Sequence, residues 1–143
     1  MKKINPYLHF NGNAEEAMNF YKSVFGGEFQ GGITRLKDIP GIPNLAEEEK
    51  NRVMHIALPI GTSGSVLMVS DTPLALENKL VVGNNVDIAL ALDSKEEADK
   101  IYAGLSAGGK VEMPMTQMSF GYFGSCVDKY GINWMINVDE AQS

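Results

Sequence analysis

The sequence predicts an α+β fold in which one βαβββ unit is used twice, and three observations carry that prediction. The segment Phe10 to Tyr21 can be laid over Ala91 to Tyr102, with Glu16 and Glu97, Ala17 and Ala98, and Tyr21 and Tyr102 each separated by the same 81 residues. A fixed spacing of this kind marks an internal repeat. Each copy also runs from an apolar stretch of strand length through polar Asn, Asp, Gly or Ser residues able to cap a helix. It continues into a helix with Ala, Phe or Ile and Tyr on one face. A double glycine, Gly26-Gly27 or Gly108-Gly109, then closes each helix, because glycine adopts the left-handed cap conformation without a Cβ clash.

Taken in order, the first copy opens with a strand containing Pro6 to Phe10, followed by the helix that ends at Gly26. Glu28 to Arg35 reads as a strand, and Asp38 to Asn51 as a loop inserted in this copy only, with Pro40, Pro43 and the acidic run Glu47-Glu48-Glu49. Val53 to Ile60 and Ser65 to Ser70 are strands about the turn Gly61-Thr62-Ser63-Gly64. Thr72 to Asn85 is a connector. In the second copy the strand that carries Asp87 to Leu92 precedes the helix. Val111 to Met113, Gly121 to Val127 and Asn133 to Val138 are then the strands, with Asp128-Lys129-Tyr130-Gly131 as a turn. The expected organisation is a single domain over 1–143, with module one at about 4–71, a connector at about 72–85 and module two at about 86–139.

Composition bounds the function. A chain of 143 residues with 44% hydrophobic and 21% charged residues buries enough surface to fold without a disulfide or a structural metal. The net charge of −6 has the wrong sign for a partner that is nucleic acid or an anionic membrane. Cys126 is the only cysteine, which excludes an intrachain disulfide and a thiolate-rich zinc site and fits a reducing compartment. Met1-Lys2-Lys3 leads at once into a mixed segment with no apolar run of signal or membrane-spanning length, so the expected location is cytoplasmic.

The duplicated unit, with Asn11-Gly12-Asn13-Ala14-Glu15-Glu16-Ala17, Phe20-Tyr21 and Phe25-Gly26-Gly27, resembles the vicinal oxygen chelate superfamily of glyoxalases, bleomycin-resistance proteins and extradiol dioxygenases. Pro6-Tyr7-Leu8, Val53-Met54-His55, Met68-Val69-Ser70-Asp71 and Asp128 through Trp134 resemble its PhnB-like subfamily. The resemblance implies two modules forming a curved mixed sheet around a cavity, and a homodimer. In metal-using members it implies four strand residues, two from each module, around a divalent ion. The matching positions here are Asp87 and, at the repeat spacing, Pro6 for the first strands, and Met135 and Leu67 for the last. One carboxylate among four cannot hold zinc, which takes about four N, S or O donors. No metal ligand is therefore expected at those positions and no cofactor is predicted, with a relocated divalent metal as the alternative.

Candidate site residues follow from side-chain chemistry. His55 lies in a strand as a metal ligand, an acid or base, or a hydrogen-bonded structural histidine. Asp87 heads a stripe of small residues, Ala89 and Ala91, that would leave room for a ligand, so it reads as an acid or base or as a solvated strand-end charge. Strand alternation with Pro6 toward the cavity assigns His9 to the helix layer. Gln117, Phe120 and Tyr122, from the Met-rich and aromatic segment Met113 to Phe123, together with Met68 and Met135, are the expected ligand-binding residues, and a core patch or subunit interface is the competing explanation. Trp134 is assigned to packing, and Cys126, with Lys129 as its one positive neighbour in sequence, has nothing that argues for a reactive thiolate.

Three functional readings result. The first is a small organic ligand held without the usual four-residue metal site. The second is a glyoxalase-like or dioxygenase-like enzyme, an isomerase, lyase or ring-opening enzyme, with its site relocated to His55, Asp87 and Gln117. The third is a domain whose cavity is filled by its own side chains and which pairs with itself or a partner. PhnB-like proteins also resemble sequences described as demethylubiquinone methyltransferases. No Gly-rich strand-turn-helix loop for a nucleoside cofactor is visible to support that activity here.

Overall fold

The structure, a computed structural model, describes residues 1–139, so positions 140–143 of the expected domain lie outside the described residues. The chain divides into two compact units, Met1–Val81 and a second that begins at Val82. In unit 1, β1 (Tyr7–Phe10), α1 (Ala14–Phe25), β2 (Thr34–Arg35), α2 (Glu47–Lys50), β3 (Val53–Ile60) and β4 (Ser65–Asp71) build a four-stranded sheet of order β1-β4-β3-β2. In unit 2, β5 (Ile88–Leu92), α3 (Lys95–Ser106), β6 (Lys110–Met118), β7 (Gly121–Val127) and β8 (Asn133–Asp139) repeat it as β5-β8-β7-β6. In both, the first strand runs parallel to the last and the other pairings are antiparallel. The α+β class and the doubled βαβββ unit are therefore as the repeat predicts.

The helices α1 and α3 each cover one face of their sheet. Strand pleating sends alternate side chains to opposite faces. Paired positions on neighbouring strands share a face, so Leu8 pairs with Val69, Ile56 with Val69 and Leu58 with Leu67 on one face of unit 1. That face packs under Ala14, Ala17, Met18 and Tyr21 of α1, all fully buried. In unit 2 the corresponding core joins Ala98, Ile101 and Leu105 of α3 to Cys126, Trp134, Ile136 and Val138. Each fully buried aliphatic side chain in these layers contributes roughly 1.5–3 kcal/mol.

Two carboxylates tie the chain ends to these layers. Asn13 precedes α1 but makes no side-chain cap. Asp71, at the end of β4, takes that role: its Oδ1 accepts from Gly12 N at 3.0 Å and Ala14 N at 2.9 Å, and its Oδ2 accepts from Val53 N at 2.8 Å. One side chain thus satisfies orphan amides at the helix start and holds β3 beside β4. In unit 2, Ser94 caps α3 directly through Glu97 N. There Asp128 closes the β7–β8 turn, accepting from Tyr130 N at 2.8 Å, Ile132 N at 3.1 Å and the buried Trp134 Nε1 at 2.8 Å.

Several boundaries differ from expectation. The strand expected over Glu28 to Arg35 is only Thr34–Arg35, because Gly31 and Gly32, with φ of 77° and 72°, turn the chain out of extended geometry. The inserted loop contains α2, and a single 3₁₀ turn from Leu36 to Asp38 leads into it. The strand expected over Val111 to Met113 extends through Pro114 to Met118. Proline ends a central strand, but β6 is an edge strand with register shifts between Val111 and Thr116, where a missing N–H costs no ladder bond. The second helix ends at Ser106 with Ala107 already extended, and only Gly108 has a positive φ, 75°. Gly109 is needed for space instead, since a Cβ there would run into the Val127 carbonyl oxygen.

Asp71→Ala should lower the unfolding free energy by about 3 kcal/mol and Asp71→Asn by less, because three amides lose a charged acceptor. Urea denaturation followed by circular dichroism reads this, and a loss near zero would mean that water replaces the clamp. Gly109→Ala should cost about 1–3 kcal/mol by overpacking in the same assay.

Candidate functional site

The face of the unit 1 sheet turned away from α1 gathers its polar and ring-bearing side chains. Tyr7 pairs with Met68 and His9 with Ser70 across β1 and β4, and Met68 pairs with Ala57 on β3. His55, two residues before Ala57 on the same strand, shares their face. The Tyr7 hydroxyl lies 3.4 Å from His55 Nδ1, and Ser70 Oγ lies 3.3 Å from His9 Nδ1. The Tyr7 ring is 5.2 Å from the His9 ring and 5.9 Å from the His55 ring, tilted by 32° and 36°. Tyr7 and His9 are exposed, whereas Ser70 is 9% exposed.

This arrangement corrects the placement of His9, which faces away from the helix layer rather than into it. Leu8 and Phe10 are the β1 residues turned to the core. The physical reason is a difference of one residue in the strand-to-helix turns: Asn11-Gly12-Asn13 joins β1 to α1, whereas Asp93-Ser94 joins β5 to α3. The helices are 81 residues apart but the strand ends Phe10 and Leu92 are 82 apart, and a one-residue slip exchanges the two faces of a strand. The match of the last strands changes as well. Met68, not Leu67, matches Met135, since Tyr7 pairs with Met68 as Ala89 pairs with Met135, and Leu67 is fully buried under α1's side of the sheet.

In unit 2 the face away from α3 carries Ala89, Ala91, Phe123, Ser125, Met135 and Asn137. Phe120, exposed in the β6–β7 turn, meets Phe123 edge to face at 5.9 Å. Met135 and Phe120 thus belong to this side. Tyr122 does not: it pairs with Val138 in the row covered by α3, and its hydroxyl donates to Asp99 Oδ1 at 2.6 Å. The Asp99 carboxylate, by accepting that bond, holds the Tyr122 hydroxyl above its ordinary pKa. Gln117 pairs with Tyr122 and its side chain donates to Met118 O at 3.2 Å. Asp87 is exposed immediately before β5 rather than inside it. The structure therefore groups His55 with Met68, places Met135 with Phe120's neighbour Phe123, and turns Tyr122 and Gln117 away.

Sequence reasoning missed Tyr7, His9 and Ser70. The available signal was the alternation Tyr7, His9 against Leu8, Phe10, which matches the core row Ile88, Leu90, Leu92 once parity is taken from the apolar residues rather than from the repeat spacing. Among the described residues no three His, Cys, Asp or Glu side chains gather as a metal-holding cluster. The donors on the unit 1 face are two imidazoles with a phenol and a serine hydroxyl. This set has two imidazoles but no thiolate or carboxylate, so it does not fit a divalent ion that takes about four N, S or carboxylate donors.

A family model described as 3-demethylubiquinone-9 3-methyltransferase matches residues 2–137. The chain belongs to this family, the PhnB-like one. This family member is 28% identical to protein YjdN of Escherichia coli (strain K12), over 97% of each chain. The crystal structure of protein PA1353 from Pseudomonas aeruginosa superposes with a TM-score of 0.79 at 30% identity, covering 97% of this chain and 98% of that one. A PhnB protein from Bacillus cereus superposes at 0.74 with 27% identity, covering 96% and 99%. A glyoxalase-related enzyme from Fulvimarina pelagi, at 18% identity and a TM-score of 0.58 over 97% and 89%, shares the fold alone. So does a glyoxylase/bleomycin resistance protein/dioxygenase domain from Frankia, at 10% and 0.64 over 100% and 96%. The fold is thus the glyoxalase/bleomycin-resistance fold. No described helix is long and apolar enough to cross a membrane.

Cys126 is buried in the α3 layer, and burial, with Asp128 nearby, pushes its thiol up to about 11. The folded chain should therefore resist a thiol-reactive disulfide reagent at pH 8 and react on unfolding. Because the folded value lies above the ordinary one of 9.0, this contribution to stability is complete below that pH and is lost as pH rises toward 11. Denaturation midpoints across that window should fall less steeply for Cys126→Ala than for the parent chain.

Proposed function

We propose that this PhnB-like protein binds a small, mostly apolar organic molecule on the open face of unit 1, through His55 and Met68 together with Tyr7 and His9. The reading includes no metal held by four strand residues. The observation that carries it is the contact of Tyr7 with both His9 and His55 on an exposed sheet face. Exposed rings that are hydrogen-bonded into a defined geometry offer contact area at little ordering cost. Met68 adds a soft side chain that adapts to ligand shape. Unit 2 taken by itself offers Met135 and, beside Phe123, Phe120 as a separate candidate contact surface. Methyl transfer is left aside. Asp71 already occupies the Gly12 and Ala14 amides at the start of α1, which a Gly-rich loop would otherwise offer to a nucleoside cofactor.

An enzymatic reading uses the same residues. The His55 Nδ1 and Tyr7 hydroxyl pair has the chemistry of an acid or base backed by a phenol. A closed two-fold dimer in the cytoplasm belongs to either reading, since such pairing is common for soluble proteins.

Elemental analysis of untagged protein before and after chelation should show far less than one divalent metal per chain. A screen of small organic molecules by amide-shift mapping should move resonances on β1, β3 and β4. His55→Ala should weaken any such binding about tenfold. About one metal per chain that survives chelation would sink the metal-free reading and move the assignment to a metalloenzyme.

A further inference from the structure

Asn11 is the one asparagine in the chain followed directly by glycine, and it sits in the turn that joins β1 to α1. We propose that Asn11 is a site of spontaneous covalent modification, deamidation through the Gly12 amide, which the Asp71 clamp and the Thr72 hydroxyl hold dormant in the folded chain. The reaction needs only water and solvent base. The Gly12 backbone nitrogen gives up its proton and bonds to Asn11 Cγ, the Cγ–Nδ2 bond breaks, and Nδ2 takes a proton from solvent and leaves as ammonia. Water then opens the cyclic imide at either carbonyl, which leaves an aspartate or an isoaspartate at position 11. Glycine is the successor that favours this step, because no Cβ crowds the attacking nitrogen and its backbone turns freely.

Both residues are exposed, so base and water reach them, yet the reacting atoms are held. Gly12 N–H donates to Asp71 Oδ1 at 3.0 Å, and a carboxylate acceptor stabilises that N–H and opposes the negative charge its loss would create. The leaving nitrogen, Asn11 Nδ2, donates to Glu77 O at 3.0 Å, and Asn11 Oδ1 accepts from the Thr72 hydroxyl. Thr72 is itself fixed on both sides, its N donating to Phe10 O at 2.7 Å and its O accepting from Arg52 Nη1 at 2.7 Å. Attack requires the Gly12 nitrogen to leave Asp71 and the Asn11 amide to leave Thr72 and Glu77. Conversion therefore proceeds from an opened turn, at a rate set by how often that turn opens. Its consequence reaches the open face of unit 1. Either product lacks the donor that ties Asn11 to Glu77 O, and isoaspartate routes the main chain through Cβ, which lengthens the turn. The length of this turn decides which face β1 presents, so conversion loosens the placement of Tyr7 and His9.

The test follows Asn11 by peptide mapping with mass spectrometry while the full chain is incubated in mildly alkaline buffer, folded and in guanidinium chloride. The folded parent should convert at least about tenfold more slowly than the unfolded chain. Asp71→Ala frees the Gly12 amide and Thr72→Val frees the Asn11 carbonyl oxygen, so each should speed conversion in the folded chain about tenfold, with folding checked by circular dichroism. Gly109→Ala, which destabilises unit 2 away from this turn, should leave the parent rate unchanged. The comparison of folded with unfolded parent needs no variant, so the proposal stays testable if Asp71→Ala does not fold. Equal rates in the folded and unfolded parent would overturn it, as would folded Asp71→Ala and Thr72→Val chains that convert no faster than the parent. An acceleration by Gly109→Ala as large as that by Asp71→Ala, or no conversion at Asn11 in the unfolded chain, would also overturn it.

Discussion

The Asp71 clamp is the interaction on which the arrangement of unit 1 depends. By accepting from Gly12, Ala14 and Val53, one carboxylate settles where α1 starts, where β3 starts and how both lie against the end of β4. The helix is thereby laid over the Leu8 and Phe10 side of β1. Tyr7 and His9 are left on the other side as a direct consequence of pleating. Position 12 shares in this constraint: its φ of 96° is one that side-chain-bearing residues rarely adopt, and the Arg52 guanidinium packs against it. Arg52 in turn donates to Thr72 O at 2.7 Å, joining the clamp to the chain that leaves β4.

Unit 2 reaches the same topology with different local chemistry. Ser94 supplies its own helix cap, so no carboxylate from the last strand is needed. The carboxylate of this unit serves the β7–β8 turn and the Trp134 indole instead. A duplicated fold can distribute its polar bonds differently because the requirement is only that each buried amide and indole N–H find an acceptor. The open faces have diverged further. Tyr7 and two imidazoles occupy unit 1, whereas unit 2 carries Phe123 among Ala89, Ala91, Ser125, Met135 and Asn137 and has no imidazole there.

Membership of a family described by a methyltransferase name does not by itself place a reaction on these residues, because a fold hosts many activities and chemistry lives in the site. What the site offers is rings, two imidazoles with oriented nitrogens and a flexible thioether. Such groups recognise shape and hydrogen-bonding edges more readily than they recognise charge. The side chains that lend themselves to chemistry elsewhere in the chain are spent on structure. Tyr102 donates to the carbonyls of Met113 and Ser125, Tyr122 is bound to Asp99, and the Cys126 thiol is buried.

The amino-acid sequence by itself determined the α+β class, the repeat, the position of both helices and the family, because these rest on apolar periodicity, glycine stops and local motifs. It also brought forward His55 and Met68, which share one face. Only the tertiary structure decided which face each strand presents. Parity along a strand is set by a single residue, and the extra residue in Asn11-Gly12-Asn13 relative to Asp93-Ser94 is invisible to a spacing measured between helices. That one residue decided that Tyr7 and His9 face outward, beside the His55 of a separate strand. Tyr122 and Gln117 went the other way for the same reason, since neighbours in an aromatic segment alternate faces and only cross-strand pairing shows which of them the helix covers.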